Sequence, residues 1–463
     1  MTEQLKLKLN DSKATRWGAL VIVAFTMMAA YYVNDVVAPL KTMLESDLAW
    51  TSSDFGFFTG GYSFLNVFFL MLIWGGLILD RFGIRFTGKL STILMVGGTA
   101  LEYYAMTGLA GPDAQIFGLN EIFGYKAGVF VAFAGYSIFG VGAEVAGITV
   151  SKIIAKWFRG KELATAMGVQ VALARIGSQA GYAVAIPLAR AFGISTPVLL
   201  GLVLLLGGMI AFFIFAVMDK KLDKQMEAAA IAAGTEDEEE KFSFKDVKNI
   251  LVNPGFWLIA LLCVLFYSCV FPFQKFASEL MIIKYGINEN VAGTFAGLPA
   301  LGALILTPVF GGFIDKRGKS ASIMLLGSAM LICVHFIYAI PDINYWLVAI
   351  VLMIILGIAF SLVPSAMWPA VAKIFPVSQL GTAYALIFFI QNIGLWGIPT
   401  LIGWVLDAYC ISGKKPDGTN MYDYTVPMCI FTSIACLSLI VALLLKKADK
   451  KYGYKLEEPN IQK

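Results

Sequence analysis

The 463-residue chain is 59% hydrophobic and 14% charged, with a formal net charge of +4. Soluble domains carry about 25% charged residues, so the composition excludes a water-soluble globular protein and leaves an all-α protein embedded in a lipid bilayer. No basic domain and no nucleophile, base or metal cluster emerges from the sequence, so neither nucleic-acid binding nor enzymatic catalysis has support and no cofactor is expected.

A spanning helix takes about 20 mostly apolar residues. Twelve such transmembrane helices are predicted, near 17–40, 53–79, 87–108, 126–157, 163–190, 196–218, 256–284, 291–314, 320–340, 345–373, 380–405 and 425–446. The first has no small-residue cleavage site after a short core, which reads as a retained helix and not a signal peptide. Of the 35 Lys and Arg, 27 fall on one side of the pattern: the N-terminal segment, four short loops, a central linker and the C-terminal tail. The positive-inside rule makes that side cytoplasmic and puts both termini there. The six cysteines lack metal-type spacing and read as small apolar residues, and His335, the single histidine, reads as a packing residue.

Between 75 and 85 the chain reads "GGLILDRFGIR", a short loop with Gly76, Asp80, Arg81, Gly83 and Arg85. It returns as "GGFIDKRGK" at 311–319, with Gly76 and Asp80 recurring as Gly311 and Asp315, although Ser320 stands where Arg85 would recur. "KWFRGKELATAMG" at 156–168 returns in the same way as "KIFPVSQLGTAYA" at 373–385. A stretch at 219–248, with an acidic run at 236–240, would be expelled from a bilayer and reads as a solvated linker. The predicted organisation is therefore an N-terminal six-helix half (1–218), a cytoplasmic linker (219–255) and a C-terminal six-helix half with its tail (256–463). Parallel six-helix halves point to a major facilitator fold, whose halves rock about a midplane site. The repeated loop resembles the signature of that superfamily; there Asp80 is expected to pair with a cation and the loop to latch one face shut.

Two ionised side chains interrupt the fourth and fifth spans. A charge at a helix centre costs roughly 2.5 to 3.5 kcal/mol on insertion scales, so it persists only facing protein or a water-filled cavity. Glu144 lies 15 residues before Arg159, and Arg175 lies 15 after Gly160. At 1.5 Å per residue both sit about 22 Å from the turn that joins their helices, near or slightly beyond the bilayer centre. Arg175, Ser178, Gln179 and Tyr182 follow at i, i+3, i+4 and i+7, a polar stripe on one helix face. A salt bridge that fixes packing is one explanation of the pair. A site for a zwitterion is the other, since a guanidinium suits a carboxylate and a carboxylate suits an ammonium.

Other polar residues in spans are Asn34, Asp35 and Glu102 toward the outer third. Lys275 and Glu279, at i and i+4, fit either a local helix pair or a gate. In the second half Ser361, Ser365, Trp368, Gln391 and Asn392 are candidates. On the repeat alignment Asn392 takes the place of Arg175 and Ser361 that of Glu144.

"GAE" in span 4, "WFRGKELATAMGVQVALARIGS" into span 5 and "MWPAVAKIFPVSQLGTAYALIFFIQNIGL" across spans 10 and 11 resemble the lysosomal dipeptide transporters of the major facilitator superfamily and their bacterial relatives. The resemblance covers most of the chain apart from the linker and the outer segment at 110–126. It implies facilitated dipeptide transport, with Glu144 and Arg175 holding the peptide's amino and carboxyl ends and Trp368 lining the site. Lysosomal members also use an acidic dileucine sorting signal and a glycosylated luminal partner; "MTEQLKLKLNDSK" has no such signal. The expectation is a monomeric dipeptide uniporter of a bacterial cytoplasmic membrane, with a lysosomal membrane as the alternative, working by alternating access; without the sorting signal, an accessory subunit is not implied. The alternatives are a proton-coupled symporter of dipeptides or another small carboxylate, and a membrane sensor that does not transport.

Overall fold

In hydrocarbon the backbone has no hydrogen-bond partner but itself, so long apolar runs become helices. The protein, seen in a computed structural model that describes residues 8–111, 114–158, 161–233 and 244–460, is built almost wholly of them. In chain order they are α1 Lys13–Val36, α2 Lys41–Leu48, α3 Ser52–Phe68, α4 Met71–Thr107, α5 Ala127–Trp157, α6 Leu163–Phe192, α7 Thr196–Ala233, α8 Phe244–Val252, α9 Pro254–Tyr285, α10 Glu289–Ala296, α11 Leu298–Arg317, α12 Ser320–Ala339, α13 Trp346–Ile374, α14 Val377–Tyr409 and α15 Thr425–Tyr452.

Every predicted span has its helix, but the boundaries differ. The second span is α3 plus the start of α4, the third is the rest of α4, and the eighth is α10 with α11. By length and apolarity nine helices among the described residues could each cross a membrane, or ten if α3 and α4, bent by 58°, count as one broken span. The shortfall from twelve has local causes. α4 runs through two spans with only Gly83 departing from helix, at φ 75° and ψ 174°, so the expected loop at 80–86 shrinks to one residue that tolerates positive φ. α6 is diluted by Arg175 and by small and polar residues.

Two small antiparallel hairpins break the all-helical expectation, one of β1 Glu121–Ile122 with β2 Tyr125–Lys126 and one of β3 Ile411–Lys414 with β4 Asn420–Tyr422. Both lie in turns beyond the spans, where water supplies the partners that a short strand leaves over. The linker is helical where it is described: α7 continues past residue 218 to Ala233, and α8 precedes α9. The acidic run at 236–240 and the turn residues Arg159 and Gly160 lie outside the described residues.

Within the first half α1 packs on α6 and α7, and α4 on α5; within the second, α12 packs on α13 and α15, and α9 on α14 and α15. The halves meet where α3 lies along α14 and where α6 touches α10 and α11. Glycines set the first of these seams. A Cβ at Gly56 would stand 2.5 Å from the Pro399 carbonyl, and one at Gly403 would stand 2.3 Å from the Ser52 carbonyl. The Gly56–Gly403 contact lies on the face opposite to the start of α1 and the end of α15; that other face, where Arg16 bonds Glu162 and Lys446 bonds Ser322, is called the basic face below.

Candidate functional site

Between the halves lies a cavity of about 520 Å³, lined by α1, α3, α5 and α6 on one side and by α9, α11, α13 and α14 on the other. That volume falls within the 300 to 1,000 Å³ common for small-molecule sites, about. Glu144 and Arg175 both line it. The Tyr62 hydroxyl donates to Glu144 Oε1 at 3.1 Å. The Arg175 guanidinium lies over the rings of Tyr31 and Phe360, 5.5 and 4.9 Å from their centroids. Among the described residues neither side chain forms a salt bridge, so the packing bridge that their sequence positions allowed is absent from this conformation.

The second half faces this charged wall with aromatic rings. Trp368 stacks on Phe388 at 4.8 Å and its indole N–H donates to the Tyr267 hydroxyl at 3.3 Å. Tyr267 in turn stacks on Phe271 at 5.5 Å, and Phe271 meets Phe360 edge-on at 5.3 Å. Gln391, which accepts from the Cys263 thiol at 3.3 Å, and Ser365 are the polar side chains that α14 and α13 bring to the cavity beside this wall.

The other predicted site residues lie elsewhere. Gln179 donates to the Thr294 carbonyl at 3.3 Å, and Tyr182, 2% exposed, packs where α6 meets α10, its carbonyl 2.3 Å from where a Cβ on Gly293 would sit. Ser361 donates to the Gly357 carbonyl at 2.7 Å and Asn392 to the Phe388 carbonyl at 3.0 Å, both buried within the second half. None of the four lines the cavity. Position along the helix explains the shift on α6. Ser178, Gln179 and Tyr182 continue the face that carries Val171, Ala174 and Arg175, but beyond Arg175 that face is covered, Ser178 donating to Asp35 on α1 and Gln179 and Tyr182 meeting α10, while in the second half Ser365 lies one turn beyond Ser361 and Gln391 one residue before Asn392. Trp368 was named from the sequence and lies on the cavity wall; its neighbours Tyr267, Phe271, Phe360 and Phe388 were missed because aromatic residues in apolar spans carry no sequence mark that separates a cavity wall from packing.

Lys275 and Glu279 are not a local pair. Lys275 reaches across to the first half, 3.1 Å from Asp35 and 2.5 Å from the Asn34 carbonyl. Glu279 meets Lys41, the Tyr424 hydroxyl and Lys415, the last at 3.4 Å, while Glu45 bonds Lys41 at 2.5 Å and Lys415 at 3.2 Å. Asp407 accepts from the Ser52 and Ser53 amides at 3.2 and 2.6 Å, and Arg190 bonds Glu289 and, at 2.7 Å, Asn290. Of these, Lys275 with Asp35, Glu279 with Lys41, Glu45 with Lys415, Asp407 with the Ser52 and Ser53 amides, and Arg190 with Glu289 and Asn290 join the halves on the opposite face. The cavity extends the other way, to Ser151 and Gln170, toward the basic face.

At the basic face Asp80 pairs with Lys152 at 3.1 Å, Arg85 with Asp223 at 2.5 Å, and Lys156 with Asp219 at 2.7 Å; Arg81 lies over the Phe82 ring, and Gly76 has open space beside it. In the second copy Asp315 instead accepts from Asn460 of the C-terminal segment at 2.8 Å. His335 is fully buried between Phe273 and Phe431, its Nε2 3.0 Å from the Cys269 carbonyl.

Two helical bundles enclosing a largely apolar cavity that carries opposite charges, sealed by bonds between them on one face, define a membrane transporter. The family follows from the sequence: the profile of the Major Facilitator Superfamily matches residues 20–399, and the chain belongs to that superfamily. Its relatives include the lysosomal dipeptide transporter MFSD1 of Homo sapiens, 28% identical over 94% of this chain and 87% of that protein. The MFSD1 of Gallus gallus is 33% identical over 59% of this chain and 62% of its own length. Among solved structures, a nucleoside transporter NupG mutant superposes with a TM-score of 0.68 at 12% identity, covering 92% of this chain and 98% of that one. A peptide transporter POT in complex with sulfate gives 0.66 at 15% identity, covering 95% and 96%.

Proposed function

We propose that the protein carries dipeptides across a membrane by alternating access, as a monomeric uniporter. The observation that carries this reading is the pair of opposite charges, Glu144 and Arg175, on one cavity wall with no ion pair between them. A free dipeptide supplies the two missing partners. Its ammonium answers Glu144, which Tyr62 orients, and its carboxylate answers the Arg175 fork. Trp368 and its aromatic neighbours then take the peptide's side chains, a surface that accepts many shapes because apolar burial is non-directional. The relatives named as dipeptide transporters support the substrate class.

In this reading the halves at 1–218 and 256–463 rock about the cavity. Asp80, Arg81 and Arg85, held by their partners at the basic face, latch and release that face, with Asp315 as the weaker counterpart. The Lys and Arg asymmetry supports a cytoplasmic basic face with both termini inside. We infer a bacterial cytoplasmic membrane, although the relatives above carry lysosomal names.

Thermal shift of the purified protein against dipeptides, amino acids, sugars and organic acids tests the substrate class, followed by uptake of labelled dipeptide into vesicles. Stabilisation by free dipeptides with uptake into vesicles supports the carrier. Stabilisation by sugars or single amino acids alone overturns the substrate class, and binding without uptake favours a sensor.

A further inference from the structure

Between α4 and α5 the chain reads "IFGLNEIFGYK" at 116–126, in which Ile116-Phe117-Gly118 returns as Ile122-Phe123-Gly124. Each copy makes a two-residue hairpin turn. Ile116 and Leu119 exchange both backbone hydrogen bonds, at 3.0 and 2.9 Å, around Phe117 and Gly118, whose φ angles are 53° and 79°. Ile122 pairs with Tyr125 around Phe123 and Gly124, at φ 52° and 81°. Positive φ at both central residues defines the type I′ turn, which favours asparagine or aspartate followed by glycine. A bulky phenylalanine in the first place is strained. Both rings also stand in the open, Phe117 99% and Phe123 88% exposed, and Leu119 between them is exposed too. The chain thus accepts strain twice to hold apolar rings at two tips, and nothing in the transport scheme above uses them.

The tips stand at the level of the lipid headgroups. α4 ends at Thr107 and α5 starts at Ala127, so the segment crowns two spans on the opposite face. Near the end of α4 the exposed Tyr104 takes the place of an interfacial belt residue. From Phe123 a row of rings leads down into the apolar surface of the spans: Phe130 at 6.0 Å, Phe133 a further 6.3 Å on, then Phe64 at 5.1 Å and Phe68 at 4.9 Å, the last half exposed at the end of α3. The tip is therefore continuous with the surface that the helices present to lipid. At the base of the hairpin Tyr125 stacks on Phe57 at 3.8 Å, and Lys126 donates to the Ala49 carbonyl and lies 3.9 Å from Asp54. With Lys126 turned inward, Glu121 is the one other charged residue between 114 and 126.

We infer that Phe117 and Phe123 enter the bilayer leaflet of the opposite face, at the boundary between headgroups and acyl chains, and anchor the hairpin there. Exposed apolar tips mark a contact with another apolar surface. Lipid is the surface that their position supplies, because both flanking helices end in that leaflet and the row of rings leads into it. The attraction is apolar, since the tips carry no cation, and it needs no anionic lipid. Through Lys126 the hairpin also grips the turn before α3, beside Ser52 and Ser53, whose amides bond Asp407 of the second half. The anchor thereby ties the first half's side of the closed seam to the bilayer. This inference rests on the membrane fold and not on the dipeptide reading.

The test uses the full chain in phosphatidylcholine vesicles. Phe117→Trp and Phe123→Trp, made singly, each add one indole to the nine tryptophans of the parent. The added emission should be quenched several-fold more strongly by phosphatidylcholine brominated on its acyl chains than by iodide in the water on both sides. Iodide as the stronger quencher at either position overturns the inference and leaves the tips to a second copy or to a partner protein. Leu119→Trp gives a reporter that keeps both rings in place. Its quenching by brominated lipid should fall several-fold when Phe117→Asn and Phe123→Asn are added, because asparagine preserves the two turns and removes the rings. Undiminished quenching at position 119 in that variant overturns the anchoring role of the rings.

Discussion

Glu144 and Arg175 line one cavity without bonding each other; the carboxylate takes its hydrogen bond from Tyr62 at 3.1 Å and the guanidinium rests 4.9 Å from the centre of the Phe360 ring. A buried pair kept for packing alone should close on itself, because parting buried charges costs more than closing them gains. Two charges held open toward a shared cavity instead present complementary ends to a ligand.

Arg175→Lys tests that arrangement directly. The substitution keeps the charge but loses the planar fork and the ring stacking over Tyr31 and Phe360. Dipeptide affinity is expected to fall tenfold or more, since about 1.4 kcal/mol suffices for that. Binding to the folded variant by titration calorimetry checks it; affinity near that of the parent assigns Arg175 a structural role.

The revised second-half contacts give a paired comparison. Gln391 lines the cavity, whereas Asn392 is buried one residue away and bonds its own helix. Gln391→Leu removes a polar contact and is expected to weaken peptide binding by about 1 kcal/mol, roughly fivefold. Asn392→Leu should leave affinity unchanged whatever it does to stability. The reverse order in the same calorimetric measurement would restore the alignment that equated Asn392 with Arg175.

Most of the architecture was legible because bilayers restrict the choices so severely. Twelve apolar stretches, a doubled loop and a one-sided Lys and Arg distribution leave few alternatives. The two charged residues were legible for the same reason: Glu144 and Arg175 are too costly in hydrocarbon to be incidental. What failed to show was depth. A stripe at i, i+3, i+4 and i+7 marks a polar face, but the sequence does not say how far along it the cavity reaches, nor that from Ser178 onward α1 and α10 cover it. Cross-half partners were hidden as well, since Lys275 finds Asp35 from 240 residues away while Glu279 stands one turn along.

The glycine seam yields a conformational prediction. Gly403→Ala would push a methyl group to 2.3 Å from the Ser52 carbonyl, a backbone atom that has no rotamer to escape by. Overpacking typically costs about 1 to 3 kcal/mol, so the closed opposite face should lose roughly 5- to 150-fold in population relative to the open one. The Ser52 and Ser53 amides, which donate to Asp407 in the closed state, should exchange hydrogen correspondingly faster by mass spectrometry. Unchanged exchange at these two amides would show that the seam is not a moving contact.

The last prediction concerns the role of Glu144, since a carboxylate in such a cavity serves either as an amine anchor or as a proton carrier. Only the anchor requires a free amino group on the ligand. Glu144→Gln should therefore nearly abolish recognition of free dipeptides, and N-acetylated dipeptides should bind the parent protein poorly. The proton-carrier role predicts something different: the variant would still exchange peptide at equal pH on both sides and would lose only accumulation. Uniport further requires that labelled dipeptide equilibrate across proteoliposomes to the same level with or without a pH gradient. Accumulation above the external concentration under an imposed proton gradient would replace uniport with proton-coupled symport.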